Sequence, residues 1–464
     1  MTTEQMPLGY YTSATPMLSD WGQVLSFTPS AYFTPVSIED LQALLTALLH
    51  LESGGKSLRF LGGQHSCSDI FKSETVIDTS QLPLEFEATP IAGGGSCVVA
   101  SAYMHAHEFL FRAAKYNLSL TALGGTDAQT LGGLISTNTA GATARASVYE
   151  LVEWVEYLKP AQDGQSFILS RVAKTDADFD AVICSLGCIG FLVRVAFNLV
   201  EERFYSATFE VKQLSDVLGD VTKTCAEHDF WRIEWIAEAD WGLFWHADQL
   251  TGRSIDPLGD YPEDASEATL RTALQFDDEV LGSGAYFNVM LEAVYNKLKS
   301  IYVANTSMGP MRHMIPVDRK AQLHVAMAEW SFNPVDLPQL LDVCRTYFDA
   351  NKWPNLATEI ECTRTDTHHM SPWNWPGLPF IIKFNFQYLT DFLSDDEKAD
   401  MIKHLEGLWN AIEAAGIPFK AHWGKINFLT PEKVARDYQL DAFLPHIQPL
   451  FLNDYLRKRL IAGS

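Results

Sequence analysis

The sequence predicts an α+β protein of two domains, and three observations lead to this fold class. The chain has 464 residues, which is longer than one ordinary hydrophobic core organises. Hydrophobic residues make up 47% of the chain and charged residues 20%, as is typical of a globular protein. Strand and helix patterns alternate up to residue 200, and the pattern changes at residues 201–205, where we expect a domain boundary.

Charge and cysteine content exclude several classes of function. The formal net charge is −24, and so acidic a surface repels phosphate backbones, which argues against a nucleic-acid partner. No apolar stretch approaches the length of a membrane span, and the N-terminal residues lack the features of a signal peptide. The seven scattered cysteines fit neither a disulfide framework nor a zinc site. We therefore expect a cytoplasmic protein without a membrane partner or a metal centre.

The first domain opens with a helix and several short strands. A leucine stripe with 3.6-residue spacing follows Ile38, and Ser37 is its expected N-cap. Apolar runs then predict strands at residues 58–61, 75–78 and 97–100, and a further helix at about residues 103–116. A strand at 149–158, a hairpin turn at Asp163-Gly164 and a buried strand within 185–197 complete this part.

Two segments of the first domain have unusual compositions. Residues 59–71 read RFLGGQHSCSDIF, a strand that runs into two glycines and then into small polar residues around His65. A glycine-rich turn that leaves a strand exposes backbone N–H groups that suit a phosphate, although a plain surface turn is the alternative. Residues 120–141 hold five glycines among many hydroxyl side chains. This composition predicts a backbone that passes close to something flat or polar, with a tight β-corner as the alternative.

The second domain reads as a sheet with covering helices. We expect strands at residues 204–211 and 231–237, a helix at 213–227, and an exposed acidic loop at 251–266. Trp373 and Trp375 lie in a proline-rich loop and are candidates for lining a pocket. A helix at 393–415 starts with a capping box at Ser394.

Four segments, taken in order, resemble the FAD-linked oxidases of the vanillyl-alcohol-oxidase superfamily, in the aldonolactone and alditol oxidase branch. These are RFLGGQHSCSDIF, LGGTDAQTLGGLISTNTAG, SLGCIGFLVRVAF and HWGK, followed by FLNDYL near the end. The resemblance implies a two-domain FAD-binding (PCMH-type) fold. Residues 1–205, completed by 420–464, would bind FAD, and residues 206–419 would form an α+β substrate (cap) domain.

The resemblance also assigns the cofactor residues. His65 stands where such enzymes attach the flavin covalently. The other residues expected around FAD are Gly62, Gly63, Gln64, Ser66, Asp69, Gly125, Thr126, Gln129, Thr130, Gly132, Gly133, Ser136, Thr137, Gly141, Gly190 and Phe191.

The catalytic residues are assigned in the same way. Lys425 of HWGK is the expected cation beside the flavin, and a fixed cation there stabilises the charge that a hydride brings. His422 would pack the ring or move a proton, or have a structural role only.

On the substrate side the chain departs from the family pattern. Glu359 matches a family glutamate, but Glu361 replaces an arginine and Lys383 replaces a histidine. These changes suggest a larger or partly cationic substrate, with a base near Glu359 or Lys383.

The sequence therefore predicts an FAD-dependent oxidase that acts on a hydroxyl-bearing carbon and forms hydrogen peroxide from molecular oxygen. Its partners would be a sugar-, polyol- or lactone-like small molecule and oxygen, and the chain would be a monomer or homodimer. The alternatives are a flavin-dependent dehydrogenase or amine oxidase with another electron acceptor, and a flavin-bearing module without activity.

Overall fold

The computed structural model describes residues 15–50, 57–91, 94–235, 240–251, 305–315, 324–351, 357–391 and 393–461. From residue 252 onward, the predicted acidic loop lies outside the described residues. None of the described helices is both long enough and apolar enough to cross a bilayer.

The N-terminal part contains two small sheets. β1 (Leu18–Ser19) and β2 (Ser26–Phe27) pair antiparallel, whereas β3 (Ala31–Phe33), β4 (Leu58–Leu61) and β5 (Thr75–Asp78) form a parallel sheet in the order β3-β5-β4. The helix Ile38–His50 connects β3 to β4 and buries the predicted leucine stripe. Its cap is also as predicted, because the Asp40 amide donates to Ser37 Oγ over 3.1 Å.

A six-stranded antiparallel sheet forms the rest of the first part. It has the order β10-β9-β11-β7-β6, with β8 paired to β11. The strands are β6 (Phe86–Pro90), β7 (Ser96–Ser101), β8 (Leu118–Ser119), β9 (Val152–Pro160), β10 (Phe167–Ala173) and β11 (Phe191–Glu201). The predicted hairpin turn at Asp163-Gly164 joins β9 to β10, and Gly164 has a φ of 65° there.

Short helices complete this part. They are Ala106–Ala114, Leu131–Thr137 and Phe179–Val182. The second of these lies in the glycine-rich segment, for which the sequence predicted a backbone close to something flat or polar but no helix. Thr130 caps its N-terminus by accepting from the Gly133 amide, and Asn138 ends it with a left-handed φ of 57°. The low helix propensity of the glycines concealed this helix, which depends on tertiary packing of Leu131, Leu134 and Ile135.

An eight-stranded antiparallel sheet forms the second part, in the order β15-β12-β14-β13-β17-β18-β16-β19. Its strands are β12 (Phe204–Gln213), β13 (Phe230–Trp235), β14 (Trp241–Leu250), β15 (Asn305–Pro310), β16 (Val325–Phe332), β17 (Ala357–Arg364), β18 (Phe380–Leu389) and β19 (Phe419–Ala421). One sheet therefore ends at Glu201 and the next begins at Phe204. The domain limits themselves stay a prediction.

Helices in the second part and at the C-terminus are Leu214–Leu218, Val221–Glu227, Met311–Met314, Leu337–Ala350, Asp395–Ala414, Pro431–Asp437, Leu440–Phe443 and Asp454–Leu460. The single helix predicted at 213–227 is wrong, because it breaks at Gly219 and Asp220 caps a new helix by accepting from the Lys223 amide. The predicted capping box at Ser394 is present.

The C-terminal segment returns to the N-terminal part of the chain. Asn453 Nδ2 donates to the backbone carbonyls of Asp69, Ile70 and Lys72, at 2.8, 3.1 and 2.8 Å. These contacts fix the glycine-rich turn that follows β4 against the final helix.

Candidate active site

A long cavity lies between the turn after β4, the helix Leu131–Thr137 and the turn before β11, and it encloses about 1050 Å³ up to its mouth. Most of the residues predicted for the cofactor line it. They are Gly62, Gly63, Gln64, His65, Ser66, Gln129, Thr130, Gly132, Gly133, Ser136, Thr137, Gly190 and Phe191.

The walls of this first cavity fit a flat, phosphate-bearing molecule such as FAD. A Cβ atom at Gly63 would lie 2.6 Å from the Ala128 carbonyl oxygen, so the two loops approach as closely as glycine allows. Gln64 has a left-handed φ of 57°, which turns the chain so that neighbouring amides can form an anion-binding nest. Gln129 Oε1 is buried without a hydrogen-bond partner among the described residues, which leaves an acceptor for a bound group.

Four predicted cofactor residues lie elsewhere. Gly125 and Thr126 line a second cavity. Asp69 lines a separate groove and not the first cavity, with its carboxylate 3.9 Å from Lys72 Nζ, so its place around the cofactor stays a prediction. Gly141 lines neither cavity. A Cβ there would lie 2.2 Å from the Leu123 carbonyl oxygen, so its role is to let two backbone segments pack together.

The second cavity encloses about 810 Å³ and opens onto one face of the eight-stranded sheet. It shares four lining residues with the first cavity, namely His65, Gln129, His422 and Lys425. The predicted attachment residue and the predicted cation therefore lie together where the two cavities meet.

Backbone contacts hold the HWGK segment against the N-terminal turn. The Cys67 amide donates to the Gly424 carbonyl over 2.8 Å, and Ser68 Oγ donates to the Trp423 carbonyl over 2.7 Å. A side chain at Gly424 would crowd Ser66 Oγ at 3.0 Å, which explains the glycine. Trp423 itself is fully buried, with its indole N–H donating to the Met370 carbonyl over 2.8 Å. This packing places Lys425 beside His65.

Both histidines at the junction are neutral near pH 7. Burial, followed by the positive charge of Lys425, lowers the pKa of His65 to about 4. Burial likewise lowers the pKa of His422 to about 4. His422 Nδ1 accepts from the Gly424 amide over 3.1 Å, so its proton is on Nε2. Lys425 Nζ lies 3.3 Å from the uncharged Met327 sulfur.

Charged and polar side chains from four adjacent strands form the far wall of the second cavity. Glu359 on β17 pairs in register with Asn385 on β18, and Glu361, two residues further along β17, pairs with Lys383. Arg232 on β13 lies opposite Glu361, and Glu329 on β16 lies opposite Asn385. Residues paired across antiparallel strands share a face, so this register gathers the charges on one side of the sheet.

The carboxylates on this wall have cationic partners. Arg232 donates to Glu359 over 2.8 Å, and both side chains are under 10% exposed. Lys383 Nζ lies 2.5 Å from Glu361 and 3.2 Å from the Ala140 carbonyl. Two of the three carboxylates therefore form buried ion pairs.

Protonation states follow from this arrangement. Burial alone would lower the pKa of Lys383, but Glu361, Glu329 and Glu359 outweigh burial and raise it. Lys383 is therefore a fixed cation, which leaves a neighbouring carboxylate as the base that the sequence predicts near Glu359 or Lys383.

The two glutamates differ in the same environment. Burial raises the pKa of Glu361 despite the opposing effect of Lys383. For Glu329, burial would raise the pKa, but Lys383, His422 and Lys425 lower it. Glu361 is thus the carboxylate whose ionisation lies closest to neutral pH.

Sequence reasoning missed Arg59, Arg232 and Glu329. Arg59 lines the first cavity and donates to the carbonyls of Leu186 and Gly187, which holds the turn before β11. A charged residue at the centre of an apolar strand was the available signal for the other two. Trp373, predicted to line a pocket, is 1% exposed and donates to the Asn138 carbonyl, so it is a core residue.

Similar proteins were found by sequence and by structure. D-arabinono-1,4-lactone oxidase of Candida albicans is 27% identical over 256 residues, which cover 52% of this chain and 44% of that protein. L-gulonolactone oxidase of Bos taurus is 21% identical over 226 residues, 48% of this chain and 49% of that protein. Each match spans less than half of the relative's length. No family model matches the chain.

The structure is similar to that of cholesterol oxidase from Brevibacterium sterolicum. The His121Ala mutant of that enzyme has a TM-score of 0.79 over 99% of both chains at 14% identity. A solvent-stable cholesterol oxidase has a TM-score of 0.70, over 90% of this chain and 87% of that one, at 13% identity. The class defined by the fold is therefore the two-domain FAD-binding α+β fold, as predicted. Within it, the sequence relatives confirm the predicted resemblance to the aldonolactone oxidase branch of the vanillyl-alcohol-oxidase superfamily.

Proposed function

We propose that this chain is an FAD-dependent oxidase acting on a hydroxyl-bearing carbon of a sugar-, polyol- or lactone-like alcohol. The observation that carries this proposal is the junction of a glycine-lined cavity with a charged one at His65 and Lys425. FAD held here would supply the hydride acceptor, and its reoxidation by molecular oxygen would give hydrogen peroxide. The names of the sequence relatives, which are lactone oxidases, support the same class of reaction.

His65 is the proposed point of covalent attachment of the flavin. A ring nitrogen can form this bond only when it carries a free lone pair, and the low pKa of about 4 keeps the imidazole neutral. The Trp21 ring, 5.4 Å from the His65 ring, limits how far the imidazole can turn. The glycine-lined walls would hold the dinucleotide, and Gln129 would donate to or accept from it.

Lys425 is the proposed electrostatic catalyst. Its neighbour at 3.3 Å is a thioether, which carries no charge and so leaves the positive charge of the ammonium group available to the junction. A cation fixed beside the site that receives the hydride stabilises the negative charge that develops there. The packed HWGK segment fixes its position before substrate binds, so no reorganisation is required.

The charged wall would bind and deprotonate the substrate. Because Glu359 and Glu361 already pair with Arg232 and Lys383, we propose a neutral polyhydroxylated substrate in place of the partly cationic one suggested by sequence. Glu361 would accept the hydroxyl proton, since its raised pKa brings it closest to the range suited to a general base. Lys383, which does not line the cavity, would hold the Glu361 carboxylate in position.

Three further assignments are proposals of the same kind. FAD binding by residues 1–205 with 420–464, and substrate binding by residues 206–419, agrees with the change of sheet after Glu201. We propose a cytoplasmic location on the basis of the cysteine pattern. We also propose that the chain is a monomer or a homodimer.

Anaerobic mixing with panels of alcohols and amines tests the function. We expect a polyol or aldonolactone to bleach the flavin absorbance, and air to restore it with release of one hydrogen peroxide per turnover. Bleaching by amines alone would replace the proposal with an amine oxidase. Reoxidation by dyes but not by air would replace it with a dehydrogenase. If neither panel bleaches the flavin, the chain is not an oxidase of either class.

A further inference from the structure

A cluster of side chains that could ligate a metal ion, namely His228, His246 and Asp248, lies on the face of the eight-stranded sheet opposite the substrate cavity. His246 and Asp248 are two residues apart on β14, so they project from the same face. Trp245, which precedes His246 on the same strand, projects to the other face and lines the second cavity. His228 reaches the cluster from the turn that precedes β13. Neither of the two cavities described above includes any of these three residues.

The two imidazole rings converge on one carboxylate oxygen. His228 Nδ1 lies 3.0 Å from Asp248 Oδ2, and His246 Nδ1 lies 2.9 Å from the same atom. The ring centroids are 4.1 Å apart, and one donor atom from each residue lies within 4.8 Å of the others. Ligands about 2.0–2.1 Å from a tetrahedral zinc ion are separated by roughly 3.3 Å, so only a slight outward movement would admit an ion.

The surroundings of the cluster orient its carboxylate and leave it open to solvent. Glu210 Oε1 lies 3.9 Å from His246 Nε2, on the far side of the ring. Each Nδ1 atom lies at hydrogen-bond distance from Asp248 Oδ2 and donates to it, so an ion bound at Nδ1 would take the place of that proton, as metal binding to imidazole does. The Asp229 amide donates to Asp248 Oδ1 over 3.1 Å and orients the carboxylate. Side-chain exposures of 16–38% for the three residues leave a path from solvent.

We propose that His228, His246 and Asp248 bind one divalent transition-metal ion of the zinc type, with solvent completing the coordination. Imidazole with carboxylate is a ligand set that suits zinc, and the expected absence of a metal site rested only on the cysteines. The ion would tie the turn before β13 to β14, so its role is structural. From the opposite face of the sheet, the ion would stiffen the strands that carry Arg232 and Trp245.

Zinc binding to the untagged, flavin-loaded full chain tests this site. After chelator treatment and desalting, we expect isothermal titration with Zn²⁺ to show one ion per chain, and Co²⁺ to give an absorption band typical of tetrahedral coordination. His246→Ala and Asp248→Asn should each weaken Zn²⁺ binding by at least about tenfold. His50→Gln, at an exposed helix end, is the matched control and should bind as the unmodified chain does.

His228→Gln provides a second test from outside the sheet, because a substitution in the turn leaves the strand pairing intact. A flavin spectrum unchanged in shape shows that each variant is folded. The proposal is overturned if the unmodified chain binds no stoichiometric Zn²⁺. It is equally overturned if the His228 and Asp248 variants bind Zn²⁺ as tightly as the His50 control does.

Discussion

Replacing Lys425 by methionine should slow reduction of the flavin by roughly three powers of ten. Methionine keeps the length and apolar stem of lysine and removes only the charge. The backbone amide of Lys425 donates to the His422 carbonyl over 3.1 Å, a contact that does not depend on the side chain, so the segment should keep its position. The change therefore isolates the electrostatic effect.

The size of this effect is that of the interaction between the ammonium group and a negative charge in contact with it. Two unit charges about 4 Å apart at an effective dielectric constant of about 20 interact with roughly 4 kcal/mol. Each ~1.4 kcal/mol lost from transition-state stabilisation is about a tenfold loss of rate, which gives a loss of about a thousandfold. The same missing charge should lower the flavin's reduction potential.

Anaerobic stopped-flow absorbance measures the step directly, free of the reaction with oxygen. Lys458→Met is the matched control, because Lys458 is exposed on the final helix and should leave the rate unchanged. A Lys425→Met rate within tenfold of the control, at full flavin occupancy, would refute the reasoning.

Three further predictions concern the walls of the two cavities. Because burial raises the pKa of Glu361, the rate of flavin reduction should rise with pH above the usual carboxyl range as this base ionises. Glu361→Gln should abolish that rise. If the variant's pH profile keeps the shape of the unmodified chain's profile, Glu361 is not the base. Arg232→Met should cost about 3–5 kcal/mol in urea unfolding, because it leaves Glu359 buried without its cation, and adding Glu359→Gln should restore part of it. A cost below about 1 kcal/mol would contradict a tight pair. Gly63→Val should lower the flavin content of purified protein, since its Cβ would lie 2.6 Å from a backbone oxygen, and full occupancy would argue against the cradle.

The sequence predicted the local features that depend on neighbouring residues. The leucine stripe after Ile38, its Ser37 cap and the Ser394 capping box were all read from spacing. The resemblance placed His65 and Lys425 together although 360 positions separate them in sequence, and the two cavities do meet at these side chains.

The sequence did not predict which strands are neighbours in the sheet or which of their residues lie opposite one another. Arg232 pairs with Glu359 only because β13 and β17 are neighbours, although the two residues are far apart in the chain. The reversed charge at Glu361 suggested a larger or partly cationic substrate, and the base was expected near Glu359 or Lys383. The strand register joins Glu361 and Lys383 in one buried ion pair, which removes the unpaired carboxylate on which a cationic substrate would depend.

The intact mass of the purified chain tests the central claim most directly. A flavin tethered at the junction predicts a mass above the 51.9 kDa of the polypeptide by one FAD, with the added mass on the proteolytic peptide that contains His65 and yellow colour retained after denaturation. A mass equal to that of the polypeptide, with any flavin released on denaturation, would contradict the account.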